Sequence, residues 1–149
     1  MNYYDFQVVL QEVPGEISLC FSICGCPIKC EGCHSPFLWK EENGMELTNE
    51  LFIELLQKYD SLATCVLFMG GEWHENQLVD LLKLAKNKHY KTCLYTGQDM
   101  VSKPILNELN WIKTGKWIPE LGGLSNKSTN QKFIDVKTKN LKNNLFIKN

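Results

Sequence analysis

Apolar, β-prone runs alternate with amphipathic helical runs along this chain, and few folds accept that alternation. Residues 17–23 are apolar almost throughout, as expected of a strand buried on both faces. Thr48 caps a predicted helix that reaches about Tyr59, with Leu51, Phe52, Leu55, Leu56 and Tyr59 along one face. Residues 64–69 form a second buried strand. A helix over 75–87 follows, with Leu78, Leu81, Leu82 and Ala85 inward, and then a strand over 90–95. Pro104 opens a short helix to about Leu109, and 111–114 is a short strand. An early strand over 6–13 stops at Pro14-Gly15, and a late one covers 133–136. The Lys- and Asn-rich tail from about residue 137 is a peripheral, solvated end with a short strand at 145–147. Strand and helix thus repeat at least three times. This predicts an α/β fold with right-handed crossovers and a mainly parallel sheet. The 149 residues fall short of the roughly 200 that an eight-fold barrel needs. The expectation is therefore a partial, open (β/α) barrel in a single domain spanning 1–149, with no repeat and no dinucleotide or P-loop glycine pattern.

Charge and hydropathy exclude several classes. Sixteen basic and 17 acidic residues leave a formal net charge of −1, which argues against nucleic-acid or membrane-surface binding. The start of the chain lacks the basic and apolar segments of a signal peptide, and no apolar run could span a bilayer. A cytoplasmic protein is expected.

Seven cysteines cannot all pair, and reduced thiols suit a cytosolic chain. Cys20, Cys65 and Cys93 sit inside apolar runs and read as small buried hydrophobes. Cys26, Cys30 and Cys33 are different. They form a C-x3-C-x2-C set on a loop, 25–36, that follows a buried strand. Three thiolates leave a four-site iron–sulfur cluster one ligand short, with one iron open to substrate. A tetrahedral zinc site completed by Cys24 or His34 is the alternative. Gly70-Gly71-Glu72 ends another strand, where glycines let backbone approach a ligand and Glu72 offers an acceptor. Taken alone it is an ordinary strand-end turn.

Together, the cysteine triplet and the later Gly-Gly-Glu resemble the radical S-adenosylmethionine (SAM) superfamily. The resemblance implies a [4Fe-4S] cluster on Cys26, Cys30 and Cys33, with SAM chelated at the fourth iron. Gly70, Gly71 and Glu72 would hold the methionyl end, and Gly32, Cys33 and His34 would lie beside the cofactor. No catalytic side chain beyond cluster and SAM is implied. One departure concerns Gly32, which stands where many superfamily members carry an aromatic near the adenine. The run ending His34-Ser35-Pro36 looks like the activating enzymes of glycyl-radical enzymes. Residues 120–124 and 128–131 resemble the activases of the anaerobic (class III) ribonucleotide reductase. That resemblance implies an oxidoreductase that cleaves SAM reductively and makes a glycyl radical in the C-terminal loop of the reductase catalytic subunit. A low-potential donor such as flavodoxin or ferredoxin is implied as well. Pyruvate formate-lyase activase and 7-carboxy-7-deazaguanine synthase are the neighbouring alternatives. A non-catalytic zinc module is the alternative from another class. Phe37, Leu38 and Trp39 are candidate contacts for the entering loop. Thr96, Lys113 and Asn130, at strand ends, could touch SAM. Trp73 and Trp117 could line the rim, and His74 and His89 read as solvated.

Overall fold

One eight-stranded sheet organises the computed structural model, which describes residues 1–148; Asn149, the last residue of the expected domain span, lies outside them. The strands are β1 (Asn2–Val9), β2 (Ser18–Ile23), β3 (Met45–Glu46), β4 (Cys65–Met69), β5 (Lys91–Tyr95), β6 (Trp111–Thr114), β7 (Lys132–Asp135) and β8 (Asn140–Leu141). Their order across the sheet is β3-β1-β2-β4-β5-β6-β7-β8. The pairings β2–β4, β4–β5 and β5–β6 are parallel, and the four outer pairings are antiparallel. The mainly parallel expectation therefore holds only for the four central strands. Antiparallel hairpins flank them because the connections on either side are too short on helix to cross over.

The central strands are buried on both faces, and their period-two alternation sorts residues to two cores. Leu19, Phe21, Ile23, Val66, Phe68, Leu94 and Ile112 face the helices. These helices are α1 (Asn49–Lys58), α2 (Glu75–Asn87) and the single turn α3 (Lys103–Leu106). Phe68 stacks on Phe21 at 5.5 Å and on Phe52 of α1 at 5.9 Å. Cys20, Cys65, Leu67, Cys93 and Phe133 face the other way, and Val13, Leu124 and Phe146 pack over them. The three thiols are therefore core residues, and burial pushes Cys20 and Cys65 up to about 12.

The inward faces expected of α2 are buried as read: Leu78, Leu81, Leu82 and Ala85. On α1, Phe52 and Leu56 are buried, with Leu51, Leu55 and Tyr59 against the same core. Thr48 caps α1 by accepting the Leu51 N–H at 3.1 Å. Thr48→Ala should cost about 1 kcal/mol in urea unfolding, with no change in the m-value. Three details differ from the sequence reading. β1 starts and stops earlier, so residues 10–13 bend away and Val13 becomes a core plug. The two-residue strands β3 and β8 have no apolar pattern to betray them. The expected strand at 145–147 is instead mostly a 3-10 turn, Asn143–Phe146. Among the described residues, no helix is long and apolar enough to cross a membrane.

Candidate functional site

The C-terminal ends of β2, β4, β5 and β6 deliver their following residues to one edge of the sheet, because parallel strands share direction. Ile23 of β2 runs into the cysteine loop, which is pinned at its base. The Gly25 and Cys26 N–H groups both donate to the Leu38 carbonyl, at 2.7 and 3.1 Å, and the Cys24 N–H donates to Asn2 at 2.9 Å. Gly25 and Gly32 adopt φ of +91° and +70°, a region that glycine enters without strain. A Cβ at Gly32 would also meet Pro119 at 3.0 Å and Trp117 at 3.7 Å. Those two residues belong to the long β6–β7 connection, which therefore clasps the loop.

Cys26, Cys30 and Cys33 are free and half-buried. The Cys33 sulfur accepts the Ser35 N–H at 3.3 Å. Burial raises the Cys26 thiol, while the N–H groups of Ile28 and Lys29 pull it down. Cys24 is wholly buried, its sulfur against Gly44. His34 is exposed and its ring lies 4.6 Å from that of Trp117. Both residues that could have completed a zinc site are thus engaged elsewhere. Among the described residues, no three His, Cys, Asp or Glu side chains are gathered tightly enough to hold one metal ion.

Gly70 and Gly71 follow β4 with φ of +83° and +110°. A Cβ on Gly70 would stand 2.6 Å from the Trp73 ring. Glu72 comes next. Its Oε1 accepts the Thr96 hydroxyl at 2.6 Å, while Oε2 is buried without a partner. The parallel register Met69↔Tyr95 sets this contact by bringing the ends of β4 and β5 level. Burial raises the Glu72 pKa above the ordinary carboxylate range, against the Thr96 hydrogen bond and the Lys113 charge. Lys113 of β6 donates to the carbonyls of Thr96 at 3.3 Å and Gly115 at 3.1 Å. Burial lowers its pKa to about 8, against the pull of Cys30 and Glu72. Charge of both signs therefore converges beside the thiols.

A cleft of about 250 Å³ opens next to Glu72, with Pro27 of the cysteine loop on one wall and Trp73, Gln98 and Ser102 on the others. Trp73 Nε1 and Ser102 Oγ, like Glu72 Oε2, are buried without partners. The three orphaned polar atoms belong to residues that line one cleft, where a polar ligand would offset the cost of leaving buried groups unpaired. Of the residues read from their strand-end positions, Thr96 binds Glu72, and Lys113 binds the Thr96 carbonyl. Asn130 instead donates to the Lys116 carbonyl and secures the clasp. Gln98 and Ser102 escaped the sequence reading, because Ser102 before Lys103-Pro104 looks like a helix cap and nothing more. Trp73 lines the cleft and Trp117 covers the cysteine loop. Phe37 is exposed and lies 4.6 Å from the ring of Tyr4. His74 pairs with Glu41 at 2.6 Å instead of standing free, while His89 is exposed as read.

Residues 14–136 match a family described as a 4Fe-4S single cluster domain. A pyruvate formate-lyase-activating enzyme from Clostridium pasteurianum is 35% identical over 79 residues, which cover 49% of this chain. The match takes in 33% of that enzyme, so the comparison spans about a third of the relative's length.

Proposed function

The chain belongs to the 4Fe-4S single cluster domain family, and from that premise we propose that it is a radical SAM activase. It would cleave SAM reductively to a 5′-deoxyadenosyl radical and generate a glycyl radical on the catalytic subunit of the anaerobic ribonucleotide reductase. The observation that carries this reading is Glu72: a half-buried residue with one carboxylate oxygen fixed by Thr96 and the other, Oε2, buried without a partner, beside three free thiols on one loop. That arrangement suits an ammonium-bearing ligand held next to a cluster.

Cys26, Cys30 and Cys33 would hold the cluster. The three thiols are free and share one short loop, which suits cluster ligation. Metal binding would draw the loop together, as it commonly does. When bound, the cluster supplies the low-potential electron that the sulfonium accepts. The protein's own part is to bind, orient and keep water out. The Glu72 carboxylate accepts the methionyl ammonium, with the Gly70-Gly71 backbone close against the ligand. Thr96 keeps Glu72 in one rotamer, and Lys113 offers a cation to the ligand's carboxylate. Gln98 and Ser102 offer polar atoms to the nucleoside, and Gly32 and His34 border it under the Trp117 clasp.

On this reading the central parallel strands would be the barrel-like part of a partial barrel in a single domain. Phe133, Leu67 and Cys93 fill their non-helical face. A filled interior favours a protein loop presented at the rim over a small swallowed substrate. Flavodoxin or ferredoxin would deliver the electron in the cytoplasm. Pyruvate formate-lyase is the second reading for the partner, favoured by the relative's identity. Anaerobic incubation with SAM, reductant and either partner separates the two. A glycyl-radical signal in electron paramagnetic resonance is expected on the reductase and not on the lyase. A signal on the lyase alone would reassign the partner, and none on either would remove the activase reading.

A further inference from the structure

The largest cavity among those described lies away from the cysteine loop. It is a groove of about 850 Å³ on the helical side of β6 and β7. Its cause is topological. The α1 and α2 helices cover the neighbouring strands, but α3 is one turn long and the connection from β6 to β7 contains no helix. The seam between β6 and β7 is therefore left without a cover. Leu106, Leu109, Ile112, Ile134 and Val136 supply an apolar floor. Exposed Lys103, Lys137 and Lys139 stand around it, with Asp99 the one acid in its wall. None of these lysines is in an ion pair among the described residues. The bias extends along the chain: four lysines and no acidic residue follow Asp135. Met100 and Val101 line both this groove and the cleft beside Glu72, so the two adjoin.

We propose that the groove receives an acidic amphipathic helix of the protein this enzyme activates, a proposal that rests on the activase reading. An apolar stripe replaces the missing cover of the sheet, and flanking carboxylates meet the lysines. The shared wall at Met100 and Val101 then sets the docked partner beside the rim where its loop must enter.

The groove can be tested without turnover. The probe is a fluorescent peptide of about three helical turns with a leucine stripe and glutamate flanks; its counterpart carries lysine flanks. The acidic peptide should bind at least about tenfold tighter by anisotropy, weaken with salt, and lose about tenfold in Lys137→Glu/Lys139→Glu. Equal affinity for the two peptides, or affinity unmoved in the double variant, overturns the proposal. A wild-type dimer in sedimentation that dissociates in the double variant would put a second copy in the groove and also overturn it. In the second arm, excess acidic peptide should suppress radical formation on the protein substrate and leave SAM cleavage without partner unchanged. Binding without suppression means that the occupant is not the substrate protein. If wild-type enzyme forms no radical on either partner, the activase reading fails and takes the substrate-protein occupant with it, while the peptide affinities still decide whether the groove takes an acidic helix.

Discussion

Cys30→Ala yields a protein that folds and neither holds a cluster nor cleaves SAM. Cys30 is half-buried and its side chain makes no hydrogen bond among the described residues, so its loss should move the stability of metal-free protein by no more than about 0.5 kcal/mol. The effect on loading is of another order. With Cys26 and Cys33 left, a second iron of the cubane would lack a protein ligand besides the one kept for substrate, and assembly fails. Iron and sulfide after anaerobic reconstitution should fall to background, with the brown absorption gone and SAM cleavage undetectable. Cys24→Ala is the matched control. Its sulfur is wholly buried against Gly44, so the variant should lose some stability and keep a full cluster. Full SAM cleavage by Cys30→Ala would contradict the ligand set, and loss of the cluster in Cys24→Ala would move the fourth ligand onto Cys24.

Glu72→Gln separates binding from stability with opposite signs. The carboxylate is the anionic partner for the methionyl ammonium, and charge-assisted hydrogen bonds of this kind contribute about 1.5–3 kcal/mol. The dissociation constant for SAM should rise on the order of 100-fold. The pH dependence follows from the raised pKa. Only ionised Glu72 binds the ammonium, so wild-type affinity should fall as pH drops through a value above the ordinary carboxylate range, and Glu72→Gln should lack that fall. For the ligand-free fold the sign reverses. A carboxyl whose pKa is raised by burial stabilises the fold below its unfolded pKa, and that contribution is lost as pH rises through the folded value. Above that folded value the wild type has lost it, and glutamine carries no charge to bury. Glu72→Gln should therefore melt higher than wild type above that value, with the gap narrowing on acidification. Calorimetry of ligand-free protein and of SAM titrations checks both halves.

The regular part of this fold was legible because its signals are local. The bounds read for α2, residues 75–87, are those observed, since Leu78, Leu81, Leu82 and Ala85 repeat at helical spacing over three turns. The edge position of Gly70-Gly71-Glu72 was equally readable, because a buried parallel strand must hand its next residues to the C-terminal edge. What closes the other face was not. Val13, Leu124 and Phe146 come from three distant segments, and no local period marks them. The outer hairpins were missed for a related reason: β3 and β8 are backbone pairings of two residues each, with exposed side chains that follow no pattern. In the site, Glu72 and Thr96 were readable one by one and their pairing was not. Thr96 reaches Glu72 only through the register between β4 and β5. Gly32 makes sense only beside Pro119 and Trp117, some 85 residues on, where a side chain would collide.

Mössbauer spectroscopy of protein reconstituted anaerobically with labelled iron and sulfide, recorded with and without SAM, tests the central claim most directly. About four irons per chain are expected, one of which alone changes its spectrum when SAM is added. Four irons that do not respond to SAM, or one zinc with no sulfide, would contradict the account.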